Sequence, residues 1–461
     1  MARIVVVSPP FQSHARPLSV LAGALRRAGD EVHFACAPAF EELARDADIG
    51  FVPLTVTRNA NTGIAETTEQ DTAEAARLTE FLDATRAGAV PALLAQARHR
   101  GADMLADPER ILADLRNLHD RLRPDWYLVD QLNYPVTLAL HCLGLSYASY
   151  CPGHPGYLPA GPDAFFGEPC AWPAGIRPRP AERAALRTAV RANDAAFTSL
   201  FADFAALHAP HRPPPGRAFA LTSPHAVVYC YPPLPGLAVP PEGREALYAG
   251  HCTAPDAPVL DPYWRVEADR LRTTAGKVVL VAFGTFLSAR DDVLRTVARG
   301  VLERCPEAAV VLAAGDRTAA LAGLAAGDRT AALADLAGPR VCVAASVPQR
   351  ALLAEVDAMV HHGGNNSFTE CVAAGVPALV LPFSSDQFAV AHDAERAGAA
   401  VVLDPAAATG REIGDAVAAL LTAPPPGLRP LSVRVRERGP DWAAVRLRAV
   451  MTACQERPVA P

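Results

Sequence analysis

One alternation runs twice through the chain and limits its fold more than any other feature. A short apolar run is followed by a segment with apolar residues at helical spacing, and then by another apolar run. Ile4 to Val7 is the first run, strand-forming by its β-branched content. After the loop "SPPFQSHAR", Leu18, Leu21, Ala22 and Leu25 recur at helical spacing between Pro17 and Gly29. Proline near a helix start and glycine past its end predict a helix over that interval. "EVHFACA" is the next strand, which completes a strand–helix–strand unit of a parallel sheet. "PDWYLVDQLNYPVTLALHCLGLSYASY" repeats the pattern as strand, loop ending in Asp130, helix and strand. The alternation restarts with "KVVLVAFGT", the helix "DDVLRTVARGVLERC" and the strands "AAVVLAAG", "RVCVAAS", "DAMVHHG" and "PALVLP".

Between the two halves lies "YPPLPGLAVPPEG", which predicts an inter-domain connection within 231–260. The expectation is therefore an α/β protein with a domain at 1–235, a domain at 245–425 and a helical tail at 426–461. The proline- and glycine-rich stretch from Cys151 to Pro180 reads as a long loop, a candidate lid or binding rim. "AAGDRTAALAGL" at 313–324 is followed by the near-copy "AAGDRTAALADL" at 325–336. Two copies of this length make no solenoid, and no chemistry is assigned to them.

A chain of 461 residues, half of them hydrophobic and a fifth charged, can bury a core in each of two domains. Its net charge of −6 argues against a general nucleic-acid binder. No apolar run approaches the ~18 residues of a membrane span, so no integral membrane segment is expected. The opening "MARIVVVSPP" lacks the apolar core of a secretory signal, and a cytoplasmic location is expected. The ten cysteines stand singly, so neither disulfides nor a zinc site is expected.

The densest cluster of small and polar residues is "HHGGNNSFTECVAAGVPALVLPFSSDQ", from His361 to Gln387, directly after an apolar run. Gly363 and Gly364 allow a sharp bend and a close approach of the backbone to a ligand. Ser367 and Glu370 fit a capping box, which predicts a helix starting at Ser367. A helix N-terminus beside His362 makes an anion site, suited to a diphosphate. The same residues also fit a glycine turn with a self-sufficient cap and two surface histidines.

The stretch "HGGNNSFTE…GVPALVLPFSSDQF" resembles the signature of family-1, nucleotide-sugar-dependent glycosyltransferases of the bacterial natural-product type. "SVPQRALL" resembles the family's base-contacting element, and "VAFGTF" its phosphate-side glycine turn. "PPFQSHARPLSVLAGALRRAGDEV" resembles its first loop, which carries a catalytic histidine. The resemblance implies the GT-B fold, two Rossmann-like domains facing across a cleft. The first would receive the acceptor and the second the nucleotide sugar, and the last helix, "DWAAVRLRAVMTACQ", would cross back to the first domain.

The resemblance also implies residue roles. His14 would be the base and Asp130 its orienting carboxylate; read locally, they are a loop histidine and a helix cap. Gly284, Thr285, His362, Gly364, Asn366 and Ser367 would hold the diphosphate. Ser346, Val347 and Gln349 would meet the base. Glu370 would accept the ribose hydroxyls, in competition with its capping-box role. Asp386 and Gln387 would bind sugar hydroxyls, or else cap a helix. The implied activity is inverting transfer of a sugar from a UDP- or dTDP-sugar to a hydroxyl of a small-molecule acceptor, a secondary metabolite. No cofactor is implied: the nucleotide sugar is a co-substrate and no metal is needed. A monomer or homodimer is expected.

Three positions depart from the family pattern. Asn365 and Ser346 stand where tryptophan is frequent, and Ser13 where glycine is common, which leaves uridine and thymidine both open. Two other functions fit the same fold. A nucleotide-sugar epimerase would need no acceptor, and hence no long variable region such as 151–230. A non-catalytic helper protein would be expected to lose His14 or His362.

Overall fold

The computed structural model describes residues 1–57, 72–103, 105–237, 243–254, 259–287, 289–315 and 333–456. Among them are two wholly parallel sheets. The first consists of β1 (Arg3–Val7), β2 (Glu31–Cys36), β3 (Gly50–Pro53), β4 (Trp126–Asp130), β5 (Tyr147–Cys151), β6 (Ala226–Tyr229) and β7 (Glu245–Tyr248), in the order β3-β2-β1-β4-β5-β6-β7. The second consists of β8 (Lys277–Ala282), β9 (Ala308–Ala313), β10 (Val341–Ala344), β11 (Ala358–His361), β12 (Ala378–Val380) and β13 (Ala400–Val402), in the order β10-β9-β8-β11-β12-β13. Runs such as Ile4 to Val7 and Val278 to Val281 are sealed on both faces. Continuous β-branched runs, rather than alternating ones, are what a parallel sheet covered by helices on both sides requires.

The boundary between the domains differs from the expectation. Glu245–Tyr248 is not the start of the second domain but the last strand of the first sheet, in register with β6 from Ala226↔Glu245 to Tyr229↔Tyr248. The proline-rich stretch therefore links neighbouring strands of one domain. The second domain opens with the helix Pro262–Ala275, where the Asp261 side chain accepts from the Trp264 N–H at 3.0 Å.

The helix after β1 is also longer than proline placement predicts. It runs Gln12–Arg27 with Pro17 inside it, so His14 lies in its first turn rather than in a loop. From 152 to 179 the chain is irregular apart from the short turn Pro155–Tyr157. Most of the duplicated segment, 316–332, lies outside the described residues.

Each sheet is packed on both faces. A further apolar cluster joins the domains: Tyr229, Tyr231 and Leu234 of the first meet Phe368, Val390, Leu428 and Leu431 of the second. The last helix, Pro440–Glu456, returns to the first domain. Its Ala443, Ala444, Leu447 and Met451 join the core on one face of the first sheet, where the helix packs on Gln12–Arg27 and on β6 and β7, and Asp441 pairs with Arg27 at 2.7 Å. Among the described residues, no helix is long and apolar enough to cross a membrane.

Candidate active site

In both sheets the strand order reverses between the first and fourth strands in sequence, β1 and β4 in one, β8 and β11 in the other. Loops leaving the carboxyl ends of such a pair diverge and open a crevice, the usual ligand position in this architecture. His14 follows β1 and Asp130 ends β4; Gly284 follows β8 and His362 follows β11. These four sequence-predicted residues thus collect at two crevices, one in each domain.

In the first crevice, His14 Nδ1 lies 2.9 Å from Asp130 Oδ2. The carboxylate only accepts, so in the neutral ring Nδ1 carries the proton and Nε2 keeps its lone pair. Asp130 Oδ1 accepts from the Leu132 N–H at 2.9 Å, which fixes the carboxylate from its other side. Asp130 is fully sealed whereas the His14 side chain is 15% exposed, so the histidine alone can meet a ligand. The edge of the Phe11 ring supports the imidazole at 5.7 Å.

In the second crevice the glycines have a specific task. A Cβ on Gly364 would lie 2.4 Å from His362 Nε2, and one on Gly284 would lie 3.0 Å from its Cε1. The two glycines make room for the imidazole between them, and Gly284 and Gly363 also hold positive φ angles of 68° and 83°. Burial pushes His362 down to about 4, so the ring is neutral at pH 7, and its Nδ1 has no partner. The ring also bonds the backbone of Ala282, and the unpartnered buried nitrogen beside a helix N-terminus is open to a ligand. His361 is structural: its buried Nδ1 accepts the Gly363 N–H at 3.0 Å and closes the turn. The side chain of Thr285 lies outside the described residues.

The capping box predicted at Ser367 does not form. The helix begins two residues earlier, as Asn365–Ala374 with Gly364 at its N-cap and no side-chain cap. Asn365 is drawn the other way: its buried Nδ2 donates to the carbonyls of Pro152 and Cys230, both at 2.6 Å. Asn366 Nδ2 donates to the Ser13 carbonyl at 3.0 Å. The turn that carries His14 is thereby tied to the glycine-rich motif. Glu370 is released from capping and accepts from Gln349 Nε2 at 2.7 Å, and the same amide lies 3.3 Å from Ser367 Oγ. Burial pushes the Glu370 carboxyl up, while Gln349, Arg350 and Arg16 draw it back. Arg16, Arg350, Asn366, Thr369 and Glu370 are among the residues that line a cavity of about 260 Å³ between the two domains. Ser346 is exposed and Val347 half-buried in the loop after β10.

Asp386 and Gln387 are placed differently from each other. Gln387 turns back on its own loop, where Oε1 accepts the N–H groups of Phe383 at 2.9 Å and Ser384 at 3.1 Å. Asp386 faces the first domain, with Oδ2 accepting the His154 N–H at 2.8 Å and Oδ1 the Tyr157 hydroxyl at 3.0 Å. Sequence reasoning missed His154, Tyr157, Gln96 and Asp393, which lie in a loop and helices with no motif of their own. The one available signal was the density of proline and glycine around 151–180.

Residues 323–440 match the family model described as "Erythromycin biosynthesis protein CIII-like, C-terminal domain". A stretch of 79 residues is 34% identical to the sterol 3-beta-glucosyltransferase of Candida albicans, covering 17% of this chain and 5% of that protein. Another, of 60 residues, is 42% identical to the putative UDP-glucuronosyltransferase ugt-60 of Caenorhabditis elegans, covering 13% of this chain and 12% of that one. The chain thus spans only a small part of these curated relatives. Among solved structures, the glycotransferase of kitacinnamycin superposes with a TM-score of 0.66 at 22% identity, over 98% of this chain and 99% of that one. Glycosyltransferase VinC in complex with DTDP gives 0.61 at 20% identity, over 98% and 100%. The calicheamicin glycosyltransferase CalG4 gives 0.60 at 16% identity, over 100% of both. The fold is GT-B, and the resemblance read from the 361–387 stretch is borne out.

Proposed function

We propose that the protein is a glycosyltransferase that moves a sugar from a UDP- or dTDP-sugar to a hydroxyl of a small-molecule acceptor, with inversion. The 2.9 Å contact between His14 and Asp130 carries this reading. It leaves a histidine Nε2 with a free lone pair at the edge of the cleft, backed by a sealed carboxylate. Histidine suits a general base because its ordinary pKa lies near the working pH.

In this reading the acceptor hydroxyl gives its proton to His14 Nε2 while its oxygen attacks the anomeric carbon. Asp130 holds the tautomer and stabilises the imidazolium that forms. The bond from the anomeric carbon to the diphosphate oxygen breaks, and the electron pair leaves with the nucleoside diphosphate. Neutral His362 and the free N–H groups at the start of helix Asn365–Ala374 donate to the leaving phosphates. Fixed donors of this kind take up the developing charge, and the reading calls for no metal. Glu370, held by Gln349 at the border of the 260 Å³ cavity, would accept ribose hydroxyls. The acceptor side would be the first domain, in keeping with the irregular 152–179 segment at its rim.

Thermal unfolding with UDP and dTDP tests this reading. A nucleotide at about a hundred times its dissociation constant stabilises the fold that binds it by about 2.7 kcal/mol. A rise in Tm with either nucleotide supports the reading. Flat curves with both, at millimolar concentration, would remove it.

A further inference from the structure

Residues 385 and 386 of the second domain are gripped from two sides by the first. Ser385 is the more unusual of the two, being one of four non-glycine residues at positive φ among those described, at 55°. Gln96 holds it there: its Nε2 donates to Ser385 Oγ at 2.8 Å and its Oε1 accepts the Ser385 N–H at 3.2 Å. Strain of this kind persists where the surroundings over-determine the backbone. Asp386 is then met by the His154 N–H and the Tyr157 hydroxyl, one on each carboxylate oxygen. Gly153 leaves no slack, since a Cβ there would lie 2.6 Å from Asp386 Oδ2.

The loop that makes these bonds is itself anchored in the second domain. His154 Nδ1 accepts the Gly156 N–H at 2.9 Å, so its proton is on Nε2, which donates to Asp393 at 3.0 Å. The Tyr231 hydroxyl donates to the same Asp393 oxygen at 3.1 Å. All three side chains are buried. Burial, then the Asp386 charge, hold the Tyr157 hydroxyl well above its ordinary pKa, so it remains a donor. An ionised carboxylate has about four lone-pair sites, and two here are filled, which leaves the others for a ligand.

We propose that the first domain completes the donor-sugar subsite, with Tyr157 and Gln96 as positioning residues that fix Asp386 and Ser385 for recognition of sugar hydroxyls. The inference rests on the glycosyl-transfer reading and adds to it. Selection of the sugar depends on contacts that exist only when the domains are closed. Capture of the nucleoside diphosphate uses the 361–370 motif and does not depend on the bonds made by Tyr157 and Gln96.

The experiment compares wild type, Tyr157→Phe and Gln96→Ala by calorimetric titration with UDP and dTDP, and by initial rates of UDP-glucose and dTDP-glucose hydrolysis, with water as the acceptor. Tyr157→Phe keeps the ring packed on Phe166 and removes only the hydroxyl. With the nucleotide that binds wild type, each variant is expected to keep its diphosphate affinity within about twofold. Its nucleotide-sugar KM should rise about tenfold, the scale of one lost hydrogen bond to a charged group for Tyr157→Phe and of two lost neutral ones for Gln96→Ala. Sugar KM and diphosphate affinity worsening together would mark a purely structural role and overturn the proposal, as would variants kinetically identical to wild type. If wild type binds neither diphosphate, the glycosyl-transfer reading fails first and this proposal falls with it.

Discussion

Asn366 reaches across the cleft to the carbonyl of Ser13 because residue 17 is proline. In a regular helix the N–H of residue 17 would bond the carbonyl of residue 13. Pro17 has no N–H, lies inside the helix Gln12–Arg27, and leaves that carbonyl open. Asn366 Nδ2 takes the place of the missing donor at 3.0 Å. The proline that would ordinarily be a local defect is thus answered from the other domain, one residue away from His14.

Pro17→Ala should close the helical bond and release Asn366. A double-mutant cycle with Asn366→Ala measures this directly. Each single variant is expected to lower transfer, and the double variant should be no worse than the poorer single one. A coupling free energy of about 0.5–1.5 kcal/mol is expected, the net worth of one hydrogen bond. Independent, additive losses would disconnect Pro17 from Asn366.

His14→Ala should lower turnover by a factor of about 10²–10⁴, the range of a lost general base, while UDP or dTDP binding stays intact. Asp130→Asn should also lower turnover without unfolding the protein, because an amide can impose the wrong tautomer. Single-turnover rates with saturating donor, beside diphosphate titrations, decide this. Undiminished rates would take the pair out of the mechanism.

Asn365→Ala should destabilise the closed protein rather than alter chemistry alone. It strands the buried carbonyls of Pro152 and Cys230. Two unsatisfied groups cost about 1–3 kcal/mol each, less whatever water can enter. Urea unfolding of wild type and variant reads the loss as a lower midpoint.

Acid should weaken the fold through two histidines held neutral by burial, against the opposite pull of His154, which despite burial is drawn up to about 9 by Asp393 and Cys170. Burial lowers His361 to about 3 and His251 to about 4. The unfolded chain binds these protons near pH 6.5 and the folded chain does not. Their neutral forms therefore contribute full stability above about pH 6.5, and that contribution is lost as pH falls toward the folded values. Each such group adds about 1.4 kcal/mol per pH unit to the slope between those limits. Unfolding free energies at pH 7.5, 6.5 and 5.5 should fall at the acid end, and His361→Gln should flatten the fall.

The parts of this fold legible in sequence are those with a periodic or covalent cause. β-branched runs announced the sheets, and the glycines around His362 announced a turn at a strand end. The contact between His14 and Asp130 was legible only by resemblance, since nothing local connects residues 14 and 130, which meet through the β1–β4 pairing. What stayed hidden was decided by competition between domains. The Ser367–Glu370 cap was a sound local reading, but Asn365 gains two carbonyls of the other domain and Glu370 gains Gln349 instead. Pro17 was read as a helix start because its missing donor is ordinarily harmless only there. The strand Glu245–Tyr248 is short and partly exposed, and its neighbour β6, not its own pattern, makes it a strand.

The return of helix Pro440–Glu456 into the first core bears on how the chain is born. On a ribosome, the first sheet emerges well before the residues that cover one of its faces, and the entire second sheet is synthesised in the interval. Until Ala443, Leu447 and Met451 arrive, the part of that face over β6 and β7, beside helix Gln12–Arg27, is bare apolar surface, open to aggregation or to a chaperone. The two lobes therefore cannot mature one after the other as separate units, and the first is finished last.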